Sequence, residues 1–273
     1  MTRAIASVVA VLAVALAGCG ASASASNPLR DAQSGLGKVH RGTMLFKLTA
    51  GAGPTDQGKD VGFQLQGPFD LSPPDKTSLP VARLELTQLL GGQTRTTTFV
   101  STGERAYVEA GGKTVELSDA QVQPLRLDRS SKRRGELGGL SIAKWGSRAQ
   151  ESDPGVVDGV AVRRITAVAD PVRALNDVFA LAGQLGVPGQ GTKRIAGQDA
   201  EQLRALVKSS QLEVLVGKAD GLVRDLRLNV LFGGDAPAQL QSALGELAAS
   251  RLALELRVDR PNQSIGEVVS PAR

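Results

Sequence analysis

The stretch VARLELTQLLGGQTRTTTFVS, residues 81–101, carries the pattern on which the fold turns. Leu84 and Leu86 fall on one side of an extended chain, and Arg83 and Glu85 on the other. That is the two-residue period of a half-buried strand. Gly91-Gly92 then fits a two-residue hairpin turn, whose central residues need positive φ, and a Thr-rich strand follows from Gln93 to Ser101. The product is an antiparallel hairpin with one apolar face, and such a face has to be covered.

The same signature extends outward from this hairpin. Upstream, Thr43 to Ala50 and Val61 to Gln66 alternate in the same way. Downstream, Arg105 to Ala110 and Lys113 to Leu117 flank a second glycine pair, Gly111-Gly112. Six strands in a row make a meander. Ser118 starts a short helix running toward Leu127, Glu136 to Lys144 predicts another, and Asp158-Gly159 joins two strands, Arg148 to Val157 and Val160 to Ala169. Asp170-Pro171 is a helix start, with Asp at the cap and Pro in the first turn. The helix it opens places Val172, Leu175, Val178, Phe179 and Leu185 near one face. A glycine-rich connector, Gly186 to Gly197, leads to a helix expected to be capped by Asp199. Strands return at Leu212 to Val216 and Leu222 to Leu231, and a helix from Ala236 to Ala249 precedes a last strand, Leu252 to Val258. Ahead of the meander, Pro28 opens a helix over Leu29 to Val39. Strand runs broken by helices, without a strand-helix-strand rhythm, predict an α+β protein with a single large antiparallel sheet whose apolar face is covered by helices.

The N-terminus has a different grammar. Arg3 precedes a small apolar run, Ala4 to Ala17, too short to span a bilayer, and the run closes on Leu16-Ala17-Gly18-Cys19. These residues resemble a bacterial lipoprotein box. The resemblance implies a signal peptide over 1–18 and a diacylglycerol on Cys19, which becomes the mature N-terminus. Two acyl chains suffice for stable anchoring, at about 0.8 kcal/mol per buried methylene. Residues 19–28 then form an Ala/Ser tether, and 29–273 the folded domain. Cys19 is the only cysteine, so no disulfide is available once it is lipidated. The expected location is the outer face of the cytoplasmic membrane.

Composition narrows the function. The chain has a formal net charge of +5, is 41% hydrophobic and only 3% aromatic. A mild positive excess suits an anionic membrane surface, while the scarcity of rings argues against nucleic acid and against sugar stacking. One histidine, His40, and one cysteine leave no metal-ligand spacing and no nucleophile elbow, so neither an enzyme nor a cofactor is expected. Gly186-Val187-Pro188-Gly189-Gln190-Gly191-Thr192-Lys193 misses a phosphate loop, because the order Thr-Lys is reversed and a helix precedes it. Arg126, Arg129, Lys132, Arg133 and Arg134 form the densest basic run. It is a solvated loop by default, and Lys132, Arg133 and Arg134 are the candidates for lipid head-group contact. Arg163-Arg164 interrupts an apolar strand and predicts a bulge or an edge.

The element order, lipobox, helix, six-strand meander, two helices, hairpin, two helices, three strands, resembles the mycobacterial-type lipoproteins of the LppX/LprG/LprF group. Their fold is similar to the lipoprotein carriers LolA and LolB. Local text agrees at Lys144-Trp145, Asp158-Gly159-Val160 and Lys218-Ala219-Asp220-Gly221-Leu222-Val223-Arg224. The resemblance implies a half-open barrel enclosing an aliphatic cavity for acyl chains, a lipid or glycolipid ligand, and a role in binding or carrying lipids in the cell envelope. Phe63, Leu65, Leu84, Leu86, Leu226, Leu228, Val230, Leu254 and Leu256 alternate onto the covered face and are the candidate lining. The same rows would equally fill a closed core, depending on how near the helices come. The expected protein is a monomer, with a transporter or export machinery as a candidate outside partner. The alternative is an envelope sensor or scaffold that uses the same fold to bind a partner protein.

Overall fold

A computed structural model describes residues 27–51, 60–72, 79–126, 139–184, 194–233 and 251–271. Its framework is one antiparallel sheet. The strands are β1 (Arg41–Gly51), β2 (Val61–Asp70), β3 (Val81–Leu90), β4 (Thr94–Thr102), β5 (Ala106–Ala110), β6 (Lys113–Glu116), β7 (Gly146–Val157), β8 (Val160–Ala169), β9 (Val207–Gly217), β10 (Val223–Phe232) and β11 (Arg251–Asp259). Their order across the sheet is β6-β5-β4-β3-β2-β1-β11-β10-β9-β8-β7. Two meanders are thus joined where the first strand pairs with the last, Phe46 opposite Leu256 and Leu48 opposite Leu254. Among the described residues β6 and β7 remain as free edges, so the sheet is open.

The helices among the described residues are α1 (Pro28–Leu36), α2 (Asp119–Val122), α3 (Ile142–Trp145), α4 (Pro171–Gln184) and α5 (Gly197–Ala205), with a 3-10 turn over Gln123–Leu125. α1 starts where Pro28 fixes φ and the Asn27 side chain accepts a hydrogen bond from the Leu29 N–H at 3.1 Å. It packs on β7, β9, β10 and α3. Its approach is close enough that a Cβ on Gly35 would lie 2.0 Å from the Gly221 carbonyl oxygen, so only glycine fits there.

α3 and α4 are fastened by Asp177, whose carboxylate accepts from the Trp145 indole N–H at 2.7 Å and the Ser141 N–H at 2.8 Å. Trp145 itself is fully buried. Asp170 caps α4, accepting from Val172 N–H at 3.1 Å, and pairs with Arg204 of α5 at 3.0 Å. α5 begins earlier than its sequence suggests. Ala196 holds the cap position, and Asp199 lies inside the first turn, where a carboxylate still complements the helix dipole.

β2 also outruns its expected end at Gln66. It continues through Gly67 and Pro68 to Asp70, although its pairing with β3 skips those two residues. Proline has no N–H to donate. Gly67 adopts φ +141°, and a Cβ there would lie only 2.0 Å from the Arg83 carbonyl oxygen. Arg163 and Arg164 lie on β8, an interior strand and not an edge. The neighbouring β7 carries two register shifts, Ser147 to Gln150 and Ser152 to Gly155, and the two cations face Glu151 at 2.8 Å and Glu213 at 3.4 Å.

Candidate functional site

An apolar cavity of about 260 Å³ lies on the inner face of the first meander. β1 contributes Met44 and Phe46, β2 Phe63, Leu65 and Phe69, β3 Ala82, Leu84 and Leu86, β4 Thr97 and Phe99, and β5 Val108. Leu71 and Pro80 close one end. Leu125, from the 3-10 turn, and Val178 and Leu181, from α4, form the roof. Among the described residues Thr97 is the one polar side chain in this lining. Four of the six phenylalanines gather here, and the Phe46 and Phe63 rings tilt against each other with centroids 5.7 Å apart.

Among the described residues the roof over this wall is short. Long strands with inward apolar rows need a helix laid along them, and α1 and α3 lie instead over the second meander. A small satellite cluster, Leu79, Ala106 and Val122, packs the α2 segment onto the sheet beside Phe99 and Leu125. Phe63, Leu65, Leu84 and Leu86 consequently stay half-buried. Among the described residues no titratable group lines the space, so its affinity is one of area and shape. Ten methylenes taken out of water there would gain about 8 kcal/mol before the cost of association.

Phe63, Leu65, Leu84 and Leu86, singled out by alternation, are brought together on this wall. Leu226, Leu228, Val230, Leu254 and Leu256 are not among its lining residues. They are at most 2% exposed and belong to the main core formed with α1, α3 and α4. Cys19 and the basic residues Lys132, Arg133 and Arg134 lie outside the described residues, as do Leu185, most of the Gly186–Gly197 connector and the Ala236–Ala249 segment. Sequence reasoning set Val178 on a buried helix face without assigning it to a cavity, and passed over Met44, Phe46, Phe69, Phe99 and Leu181. The parity of Phe63, Leu65 and Phe69 along one strand was the available signal, hidden by Gly67-Pro68.

The outer face of the sheet is charged. Across β10 and β11, Arg227 reaches Asp225 at 2.8 Å and Glu255 at 3.5 Å, and Arg257 reaches Asp158, in the β7–β8 turn, at 3.2 Å. Burial pushes the Asp225 carboxyl above its ordinary range, against the opposing pull of Arg227. Among the described residues no group of three or more His, Cys, Asp or Glu side chains could hold a metal ion. Among them, too, no helix is long and apolar enough to cross a membrane.

The chain is similar in structure to LprF from Mycobacterium bovis, with 10% identity, 90% of this chain and 96% of that one covered, and a TM-score of 0.44. It is similar also to the Mycobacterium tuberculosis lipoprotein LppX, with 12% identity, coverage of 88% and 96%, and a TM-score of 0.37. A LolA superfamily protein from Nitrosomonas europaea follows at 8% identity, coverage of 86% and 94%, and a TM-score of 0.21. LprF and LppX are members of the group that the sequence resembles. No protein-family model matches the sequence, and no curated protein matches it. The open eleven-stranded sheet stands on its own strand order, and the cavity on its own lining.

Proposed function

We propose that this chain is a lipid-binding lipoprotein of the cell envelope, tethered through Cys19 to the outer face of the cytoplasmic membrane. It takes acyl chains of lipids or lipidated molecules into the cavity between the first meander and the C-terminal half of α4, without catalysis. The observation that carries this is the cavity itself. Among the described residues its lining is apolar except for Thr97, and it lies beside a second meander whose inward leucines are at most 2% exposed. An apolar wall of aliphatic and phenyl side chains, without a charge among the described residues, offers little to a sugar, a nucleotide or a peptide backbone, and much to a hydrocarbon.

The mechanism is partition. A chain leaves the bilayer when the cavity replaces its apolar surroundings, and the anchor keeps the cavity mouth within reach of the membrane. Partner binding through the same fold would call for a closed interior beneath an exposed apolar patch, and a cavity of about 260 Å³ with an apolar lining favours the lipid.

The test is native mass spectrometry of the full chain purified from bacterial membranes. A discrete added mass, lost in organic solvent and identified as an acyl lipid, is the expected result. A bare protein mass that stays bare after incubation with lipid vesicles would overturn the proposal.

A further inference from the structure

The cavity wall changes character along the β3–β4 hairpin. The two strands pair without a register shift, Leu84 opposite Phe99, Leu86 opposite Thr97 and Gln88 opposite Arg95. Side chains two apart share a face, and the intervening Thr87 and Thr96 meet at 3.5 Å on the opposite one. Gln88 and Arg95 therefore continue the inward row that begins with Leu84 and Phe99, one step nearer the hairpin tip. Phe63 of β2 stands opposite Gln88 at the same level. The inner face thus runs from hydrocarbon, through a lone hydroxyl, to an exposed amide and a guanidinium at the rim.

Among the described residues Arg95 makes no ion pair, and neither its guanidinium nor the Thr97 hydroxyl has a hydrogen-bond partner. The contrast with the outer face is plain, where Arg83 of β3 is held by Glu109 at 2.9 Å. A cation left unpaired beside a water-poor apolar wall attracts an anion more strongly than one on an open surface. Its planar fork also matches the oxygens of a carboxylate or phosphate.

We infer that this rim is the head-group site of the cavity: the ligand is an amphiphile with an anionic head, held by Arg95 with Thr97 and Gln88 as hydrogen-bonding neighbours, its chain running inward past Leu86 and Phe99. The inference rests on the lipid-binding proposal above. It assigns the polar end of the ligand to β4, a segment distinct from the basic run that contains Lys132, Arg133 and Arg134.

The experiment is saturation binding to the full chain held on beads by a C-terminal tag. The probes are radiolabelled hexadecyl phosphate, hexadecanoate and hexadecanol, each kept below the concentration at which it aggregates or separates from water. The anionic probes should bind about tenfold more tightly than the alcohol, the scale of one charge-assisted contact. Arg95→Gln should bring them down to the alcohol's level and leave the alcohol unchanged, while Arg95→Lys keeps part of the preference. Which anion binds better separates a phosphate head from a carboxylate one. Equal binding of all three probes, untouched by Arg95→Gln, would overturn the head-group site and leave the cavity proposal standing. No saturable binding of any probe would overturn the cavity proposal itself. Loss of adsorption to phosphatidylglycerol vesicles in Arg95→Gln, with hexadecyl phosphate binding intact, would reassign Arg95 to the membrane surface.

Discussion

In the second meander, Leu212, Leu226, Leu228, Leu254 and Leu256 are at most 2% exposed; in the first, Phe63, Leu65, Leu84 and Leu86 occupy equivalent alternating positions and remain half-buried. Both halves belong to one continuous sheet, and both present inward apolar rows. What separates them is cover. α1 presses onto β7, β9 and β10, with Gly35 against the Gly221 carbonyl, and Trp145 is tied to α4 through its bond to Asp177. Among the described residues the first meander receives a 3-10 turn and the Val178–Leu181 part of α4. Alternation therefore decides which face is inward, and helix placement decides whether that face becomes core or container.

The largest expected effect breaks the closed half. Leu226→Ala should cost about 3 kcal/mol, transfer and cavity costs together, because its neighbours are already close-packed. Leu84→Ala, already beside a void, should cost about 1 kcal/mol. Urea unfolding followed by the emission of the single tryptophan, Trp145, measures both; equal costs would erase the distinction between the halves.

Next comes the wall of the open half. Gly67→Ala puts a Cβ into the Arg83 carbonyl at a backbone conformation that side chains avoid, so a loss of about 2 kcal/mol is expected in the same titration. A neutral outcome would mean that β2 can straighten there without consequence for its neighbours.

Filling the cavity should move stability less and function more. Leu84→Trp should alter stability by no more than about 1 kcal/mol, whereas overpacking the closed half with Leu228→Trp should cost about 1–3 kcal/mol or more. Leu84→Trp should also abolish retention of hexadecanoate on the bead-held chain. Retention unchanged in that variant would place the chain-binding space elsewhere.

The smallest effect lies on the outer face. Burial raises the Asp225 carboxyl above its unfolded value, with Arg227 only partly offsetting it, so the native state holds that proton more tightly than the unfolded chain does. Stability should then fall as pH rises from the ordinary aspartate range through the raised value, since the native state binds more protons in that window. Asp225→Asn should flatten this part of the profile in urea midpoints taken across mildly acidic pH. A fall that persists in the variant would assign it to another group.

Much of the framework was legible because its signals are local. Gly91-Gly92, Gly111-Gly112 and Asp158-Gly159 mark hairpins by the φ values their turns require, and the strands follow from period two. Asp170-Pro171 marked α4 in the same way. The pairing of β1 with β11 has no local signal, because register across about 200 residues of chain is chosen by whichever apolar rows meet, here Phe46 with Leu256. The cavity was half legible for a related reason. Phe63, Leu65, Leu84 and Leu86 are indistinguishable from Leu226 and Leu228 by pattern, since both sets face inward, and among the described residues the long-range seating of α1 and α3 separates them. Arg95 escaped notice because a single cation in a Thr-rich strand gains meaning only when register places it two residues from the cavity wall.

The most direct test of a lipid cavity in the first meander is photocrosslinking of the full chain with a hexadecanoate carrying a diazirine near its methyl end, followed by peptide mapping. Saturable labels are expected on the peptides that carry Phe63, Leu65, Leu84 and Phe99, competed away by unlabelled hexadecanoate, with the peptides of β9 and β10 unlabelled. Labels concentrated on Leu212 to Val230, or scattered without competition, would contradict a cavity in the first meander.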